Sequence, residues 1–162
     1  NHVTCPPPNS KARTHMKEPE QLKRGKRFHK IVQVDIGGNT EDASVQCEAP
    51  IELILKQGSR KKSGRADILI SDLGDIQAVL EIKATDWDRI KPGNVKKNLW
   101  RHQNQLYSYI EKFLEIDKQS LSAYIIYPTR PHSAELCKVI DDYLESYGML
   151  AHWYDEIAVV AD

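Results

Sequence analysis

The spacing of apolar and polar positions divides the chain into alternating helical and strand-like stretches. From Glu18, the segment EPEQLKRGKRFHKIVQVDI puts Leu22, Phe28, Ile31 and Val32 on one helical stripe, and Gly37-Gly38 ends it. SVQCEAPIELIL (44–55) is strand-like with a break or bend near Pro50, and QGSRKKSGR (57–65) reads as a basic connection. ADILIS alternates as a strand, DLGD makes a turn and IQAVLEIK makes the next strand, which predicts a hairpin. Beyond Pro92-Gly93, apolar Val95, Leu99, Leu106, Ile110, Phe113 and Leu114 recur at helical spacing over 94–116. LSAYIIYP (121–128) has the look of a buried strand, Ser133 of an N-cap for a helix running to about Tyr147, and LAHWYD of a last short strand. The order is αβββαβ followed by a helix and a strand, which predicts an α/β domain with a mixed sheet flanked by helices.

Residues 1–16 hold three consecutive prolines and no apolar period, so they read as a linker or arm, leaving 17–162 as one domain. A chain of 162 residues is long enough to bury a core without staples. Cys5, Cys47 and Cys137 are scattered and have no CxxC spacing, which points away from a disulfide framework or thiolate zinc site and towards a reducing compartment. No apolar run approaches the roughly 20 residues of a membrane-spanning helix, so no membrane partner is expected. The chain opens on Asn1, which reads as a domain cut from a longer polypeptide. Its balanced charge hides a split: residues 1–65 carry 13 Lys and Arg against 7 Asp and Glu, and residues 66–162 carry 10 against 16. A basic half of that kind can present a local positive surface to a nucleic acid.

One strand breaks the apolar rule. In AVLEIKA, Glu81 and Lys83 share a face opposite Leu80 and Ile82, in a stretch otherwise fit for a sheet interior. Asp67 lies on the partner strand with 13 residues between it and Glu81, so a tight hairpin brings the carboxylates together. Two converging carboxylates, with the Ile82 carbonyl, make an oxygen site of the kind Mg²⁺ or Mn²⁺ takes, and Lys83 beside it can hold a phosphate oxygen or orient a water. A surface salt bridge is the plain alternative for Glu81 and Lys83. On the following helix Arg101, Gln105 and Tyr109 are spaced by four, flanked by Asn98 and His102, a stripe suited to a nucleic-acid backbone or simply to solvent.

Asp67 followed by Glu81-Ile82-Lys83 resembles the D-x(n)-E-x-K signature of the PD-(D/E)XK, restriction-endonuclease-like nuclease superfamily. RGKRFH places Gly25 and His29 at the GxxxH spacing of its RecB-like group, and QLYSY places Gln105 and Tyr109 at that group's QxxxY spacing. The runs EIKATDWD and NVKKNLWRHQNQLYSYI are similar to nuclease domains of bacterial polymorphic toxins. The resemblance covers about 18–154. It implies a restriction-endonuclease-like sheet and metal-dependent hydrolysis of phosphodiesters, with DNA favoured over RNA. Asp67, Glu81, the Ile82 carbonyl and His29 would hold the cation. Lys83 and Gln105 would serve catalysis, while Arg101, Gln105, Tyr109 and Arg65 would meet substrate. Glu48 is a candidate additional acid, with pairing to a nearby cation as its plain alternative. The alternatives are an RNase, such as a tRNA-cleaving toxin domain, and a nucleic-acid-binding module without turnover. A toxin would act in a cytoplasm, arrive within a larger secreted protein and be held by an immunity protein.

Overall fold

A computed structural model describes residues 18–37, 45–53, 62–117 and 121–161. The elements are α1 (Glu20–Gly37), β1 (Val45–Leu53), β2 (Lys62–Asp72), β3 (Asp75–Ile82), α2 (Val95–Asp117), β4 (Ser122–Tyr127), α3 (Ala134–Glu145), β5 (Met149–Trp153) and α4 (Tyr154–Ala161), with 3-10 turns at Trp87–Arg89 and Pro92–Asn94. They form an α/β structure around a five-stranded mixed sheet in the order β1-β2-β3-β4-β5. The first three strands are antiparallel neighbours, and β3, β4 and β5 run parallel. The expected arm at 1–16 lies outside the described residues.

Each face of the sheet has its own core. Val79 of β3 and Ala123, Ile125 and Tyr127 of β4 face α2 and α3, where Leu99, Leu106, Ile140 and Leu144 are fully buried. Leu80 and Ile82 of β3 and Ile126 of β4 turn the other way, towards α1. The period-2 alternation therefore assigns Glu81, between Leu80 and Ile82, to the α2 face. On α1 the residues that pack are Phe28, Val32 and Ile36, a line of four-residue steps, whereas Leu22 and Ile31 of the expected stripe stay exposed.

The predicted hairpin is present, with Asp72 paired to Asp75 around Leu73-Gly74. Both turn residues have positive φ, 51° and 86°, the left-handed pair that gives a two-residue loop the twist of its strands. Three expectations need correcting. Arg65 lies within β2, not in a connection, because the β1–β2 ladder continues to Leu53 opposite Lys62; residues 57–61 lie outside the described residues. Pro50 sits in the ladder opposite Arg65 without ending it, which an edge strand tolerates. The last strand stops at Trp153, and Tyr154 opens a helix with Asp155 and Glu156 in its first turn, where the helix dipole favours acids.

The bend expected at Pro50 occurs instead at Glu48, whose φ is 52°. A non-glycine residue in that region costs on the order of 1–3 kcal/mol. Its effect is a change of face. Cys47 approaches the α1 backbone while Ala49 packs in the α2-side core. Across the ladder Ile68 packs towards α1 and Ala66 towards α2, although they are two positions apart. Both strands thus switch faces at one level, where Glu48 and Asp67 stand opposite each other without pairing.

Candidate functional site

The face switch coincides with the end of the β2–β3 ladder, whose last pair is Ile68 with Leu80. Beyond it, side chains replace the missing backbone bonds. The Ile82 amide donates to Oδ2 of Asp67 at 2.7 Å, and the Asp67 amide donates to Oε1 of Glu81 at 3.4 Å. The two carboxyl groups therefore meet in the slot between strands, each fixed by a backbone N–H of its neighbour. A strand residue sends its N–H and C=O to the same side, so the Ile82 carbonyl also faces this slot.

Residues from both helices close on the slot. From α1, His29 Nδ1 lies 3.6 Å from Asp67 Oδ1, and Gln33 Nε2 donates to Glu48 Oε1 at 2.9 Å and to the Asp67 carbonyl at 3.2 Å. From the α2 side, Lys83 Nζ donates to Gln105 Oε1 at 2.6 Å. Gln105 in turn hydrogen-bonds Tyr109, whose hydroxyl also accepts from the Arg65 amide. The Tyr109 ring lies so close to Gly64 that a Cβ there would come within 2.8 Å of it, so only glycine fits. Tyr109 is the fixed post of this chain, Gln105 its arm and Lys83 what the arm holds.

The electrostatics are unbalanced. Glu81 is 1% exposed, and burial, then the charge of Asp67, pushes its carboxyl up to about 8 against the pull of Lys83. Burial raises the Asp67 carboxyl as well, opposed by the Ile82 N–H. Two acids that cannot both ionise comfortably must share a proton or accept a cation between them. The donor set is two carboxylates and a carbonyl. Among the described residues no three His, Cys, Asp or Glu side chains converge as a metal cluster. That set lacks the cysteines or paired histidines on which zinc sites are usually built. It fits Mg²⁺ or Mn²⁺, which keep several waters and are commonly held by one or two carboxylates plus substrate.

Of the sequence-derived candidates, Asp67, Glu81, Ile82, Lys83, Gln105 and His29 come together. Glu48 joins them through Gln33, a residue the sequence reading missed because a lone polar side chain on a helix carries no signal. Tyr109, expected to touch substrate, is 5% exposed and borders the site from within, where it meets Gln105 and the charges of Glu81 and Asp67. Arg65 contributes its backbone N–H to Tyr109, while the residue itself is exposed. Arg101 lies outside the cluster, on the surface, where it donates to Asn98 Oδ1 at 3.1 Å. His102, read as part of a surface stripe, is buried and bonds the Tyr127 hydroxyl at 2.9 Å beneath Trp87. Asp88 is engaged by His132, away from the slot. No protein-family model matches this chain, and no curated protein matches it significantly.

Proposed function

We propose that the chain is a metal-dependent phosphodiesterase of the restriction-endonuclease-like type, acting on DNA. The observation that carries this reading is the meeting of the Asp67 and Glu81 carboxylates where β2 and β3 part, with Lys83 held on the same side by Gln105. The order of helix, three antiparallel strands, helix and parallel strand supports it, as do Gly25, His29, Gln105 and Tyr109 at their motif spacings. Asp67, Glu81 and the Ile82 carbonyl would hold Mg²⁺ or Mn²⁺, with His29 beside Asp67. When bound, the cation supplies Lewis acidity at the phosphate and lowers the pKa of a coordinated water.

The chain's own residues do the rest. Buried Glu81 and partly buried Asp67, anchored by backbone amides, keep their oxygens in one place, so little reorganisation accompanies the reaction. Lys83 places a positive charge where negative charge grows on the phosphate and orients the attacking water. Gln105 takes one of its three N–H donors, leaving two for substrate. His29 stands half-open to solvent at the mouth of the slot, with Nδ1 3.6 Å from Asp67 Oδ1.

The test is digestion of plasmid, single-stranded DNA and total RNA with Mg²⁺, with Mn²⁺ and with EDTA. Wild-type protein cuts DNA only with a divalent cation, and Lys83→Ala loses roughly 10²–10³-fold in rate. Cleavage of RNA alone moves the assignment to an RNase. Nucleic-acid binding without cleavage under either metal makes it a binding module.

A further inference from the structure

Two grooves flank α1, and they differ in how their charges are placed and in what lies beneath them. One, lined by Lys26, His29, Lys30, Gln33 and Glu48, leads to the slot and ends on a carboxylate. Lys26 is already paired with Glu18. The other is a hollow of about 600 Å³ beyond the ends of β3 and β4, in the roughly 300–1,000 Å³ range of sites for small ligands. Its floor is apolar: Phe28, Ile90 and Pro128, all partly exposed. Its rim carries Arg24, Arg89, Asn98 and one carboxylate, Asp86. Arg89 uses its Nε on Asp86 at 3.3 Å, and Arg24 has no ion pair among the described residues. The exposed Arg101 guanidinium stands next to the rim, on Asn98. Ala84 and Thr85 of the wall directly follow Lys83. Gly25 stands between the two regions, where a Cβ would just reach contact with the Ala84 methyl at 4.0 Å, so α1 runs close beside the chain leaving β3.

We infer that this second groove holds an unpaired nucleic-acid segment next to the scissile phosphate, with one base on the Phe28, Ile90 and Pro128 floor and the adjoining phosphates on Arg24 and Arg89. An apolar floor with a cationic rim is what a base and its phosphate need together, and a pocket of this size takes one or two nucleotides but no duplex. Each groove has one carboxylate, but Asp86 in the second is already paired with Arg89, whereas Glu48 in the first is bonded only by the neutral Gln33 amide and keeps its charge against a phosphate. Asn98 and the Thr85 and Thr129 hydroxyls offer hydrogen bonds to a base edge or sugar. The word scissile rests on the nuclease reading; the binding itself does not.

The experiment is fluorescence anisotropy of the whole chain with labelled dT6, rU6 and a six-base-pair duplex in EDTA, where metal-dependent turnover is absent. Single strands bind more tightly than the duplex, and the dT6 and rU6 arms show whether the groove prefers one sugar. Arg24→Glu and Arg89→Glu each weaken single-strand binding about tenfold or more and lower the salt slope by about 0.7 per arginine. Lys138→Glu, at an exposed position of α3, changes affinity less than twofold. The inference is overturned if the duplex binds as tightly with the same arginine dependence. It is equally overturned if Arg24→Glu and Arg89→Glu bind like wild type, or if Lys138→Glu loses as much as they do. A cutting enzyme whose arginine variants bind normally sinks the groove alone; arginine-dependent binding without cutting sinks the nuclease alone.

Discussion

Two buried polar clusters lie on the α2 side of the sheet, and the fold treats them in opposite ways. Under α2, His102 bonds Tyr127 and is packed by Trp87, with ring centroids 6.0 Å apart. Burial, aided by the charges of Lys83 and Arg101, holds the imidazole down to about 3, so it stays neutral and its cluster carries no charge to solve. At the parting of β2 and β3, burial instead forces Glu81 up to about 8 beside a second acid. One cluster is uncharged and serves packing, with the Trp87 indole N–H buried without a partner as its one cost. The other is left with an unmet demand for a proton or a cation, which costs stability and is what a reactive site requires.

The contrast can be broken first at Glu81. Its folded value of about 8 exceeds its ordinary 4.5, so between those pH values the native state keeps a proton that the unfolded chain has lost. Stability must therefore fall as pH rises through that window and level off above it. Glu81→Gln keeps an oxygen for the Asp67 amide but no charge. In chemical denaturation it gains on the order of a few kcal/mol at pH 8.5 and almost nothing at pH 4.5. A constant gain at both pH values would mean the carboxylate is not strained by its burial.

His102→Leu makes the opposite prediction. The swap removes a satisfied partner and orphans the Tyr127 hydroxyl, so it destabilises by about 1–3 kcal/mol, equally at pH 6 and pH 8. A marked pH dependence would show that the imidazole titrates after all. The smallest effect serves as a reference for backbone strain. Leu73 and Glu48 both sit in the left-handed region, but Leu73 is 98% exposed at a hairpin tip and bonds nothing that the slot uses. Leu73→Asn suits the turn and raises stability by about 1 kcal/mol, seen as a Tm a few degrees higher.

The legible part of this structure was the part written in period. Alternation in AVLEIK and a two-residue turn were enough to set Asp67 and Glu81 on neighbouring strands of one hairpin, but the register of the turn puts Asp67 level with Leu80, and the shift between Ile70 and Ser71, which has no signature in the sequence, brings it level with Glu81. The same reasoning went astray on α2, where the buried line is Leu99, His102, Gln103, Leu106, Tyr109 and Ile110, a regular helical stripe whose polar members masked it. Steps of four from Arg101 followed chemistry instead of burial, and they joined an exposed arginine to a buried tyrosine. Gln33 and the reversed backbone of Glu48 had no local signature. Both depend on α1 lying across β1 and β2, contacts made between residues 15 and 34 positions apart. The last helix was hidden because the aromatic run through Tyr154 continues a strand pattern past the point where Asp155 and Glu156 start a turn.

The account stands on Asp67 and Glu81 forming one cation site. Calorimetric titration of Mn²⁺ into wild-type protein and into Glu81→Gln, at pH 8 in two buffers of different ionisation enthalpy, examines it without reference to substrate. Wild-type protein is predicted to bind with release of the proton that the acid pair holds, and Glu81→Gln to show no binding in the same range. Equal binding by both proteins, or binding by wild type with no proton released, would contradict it.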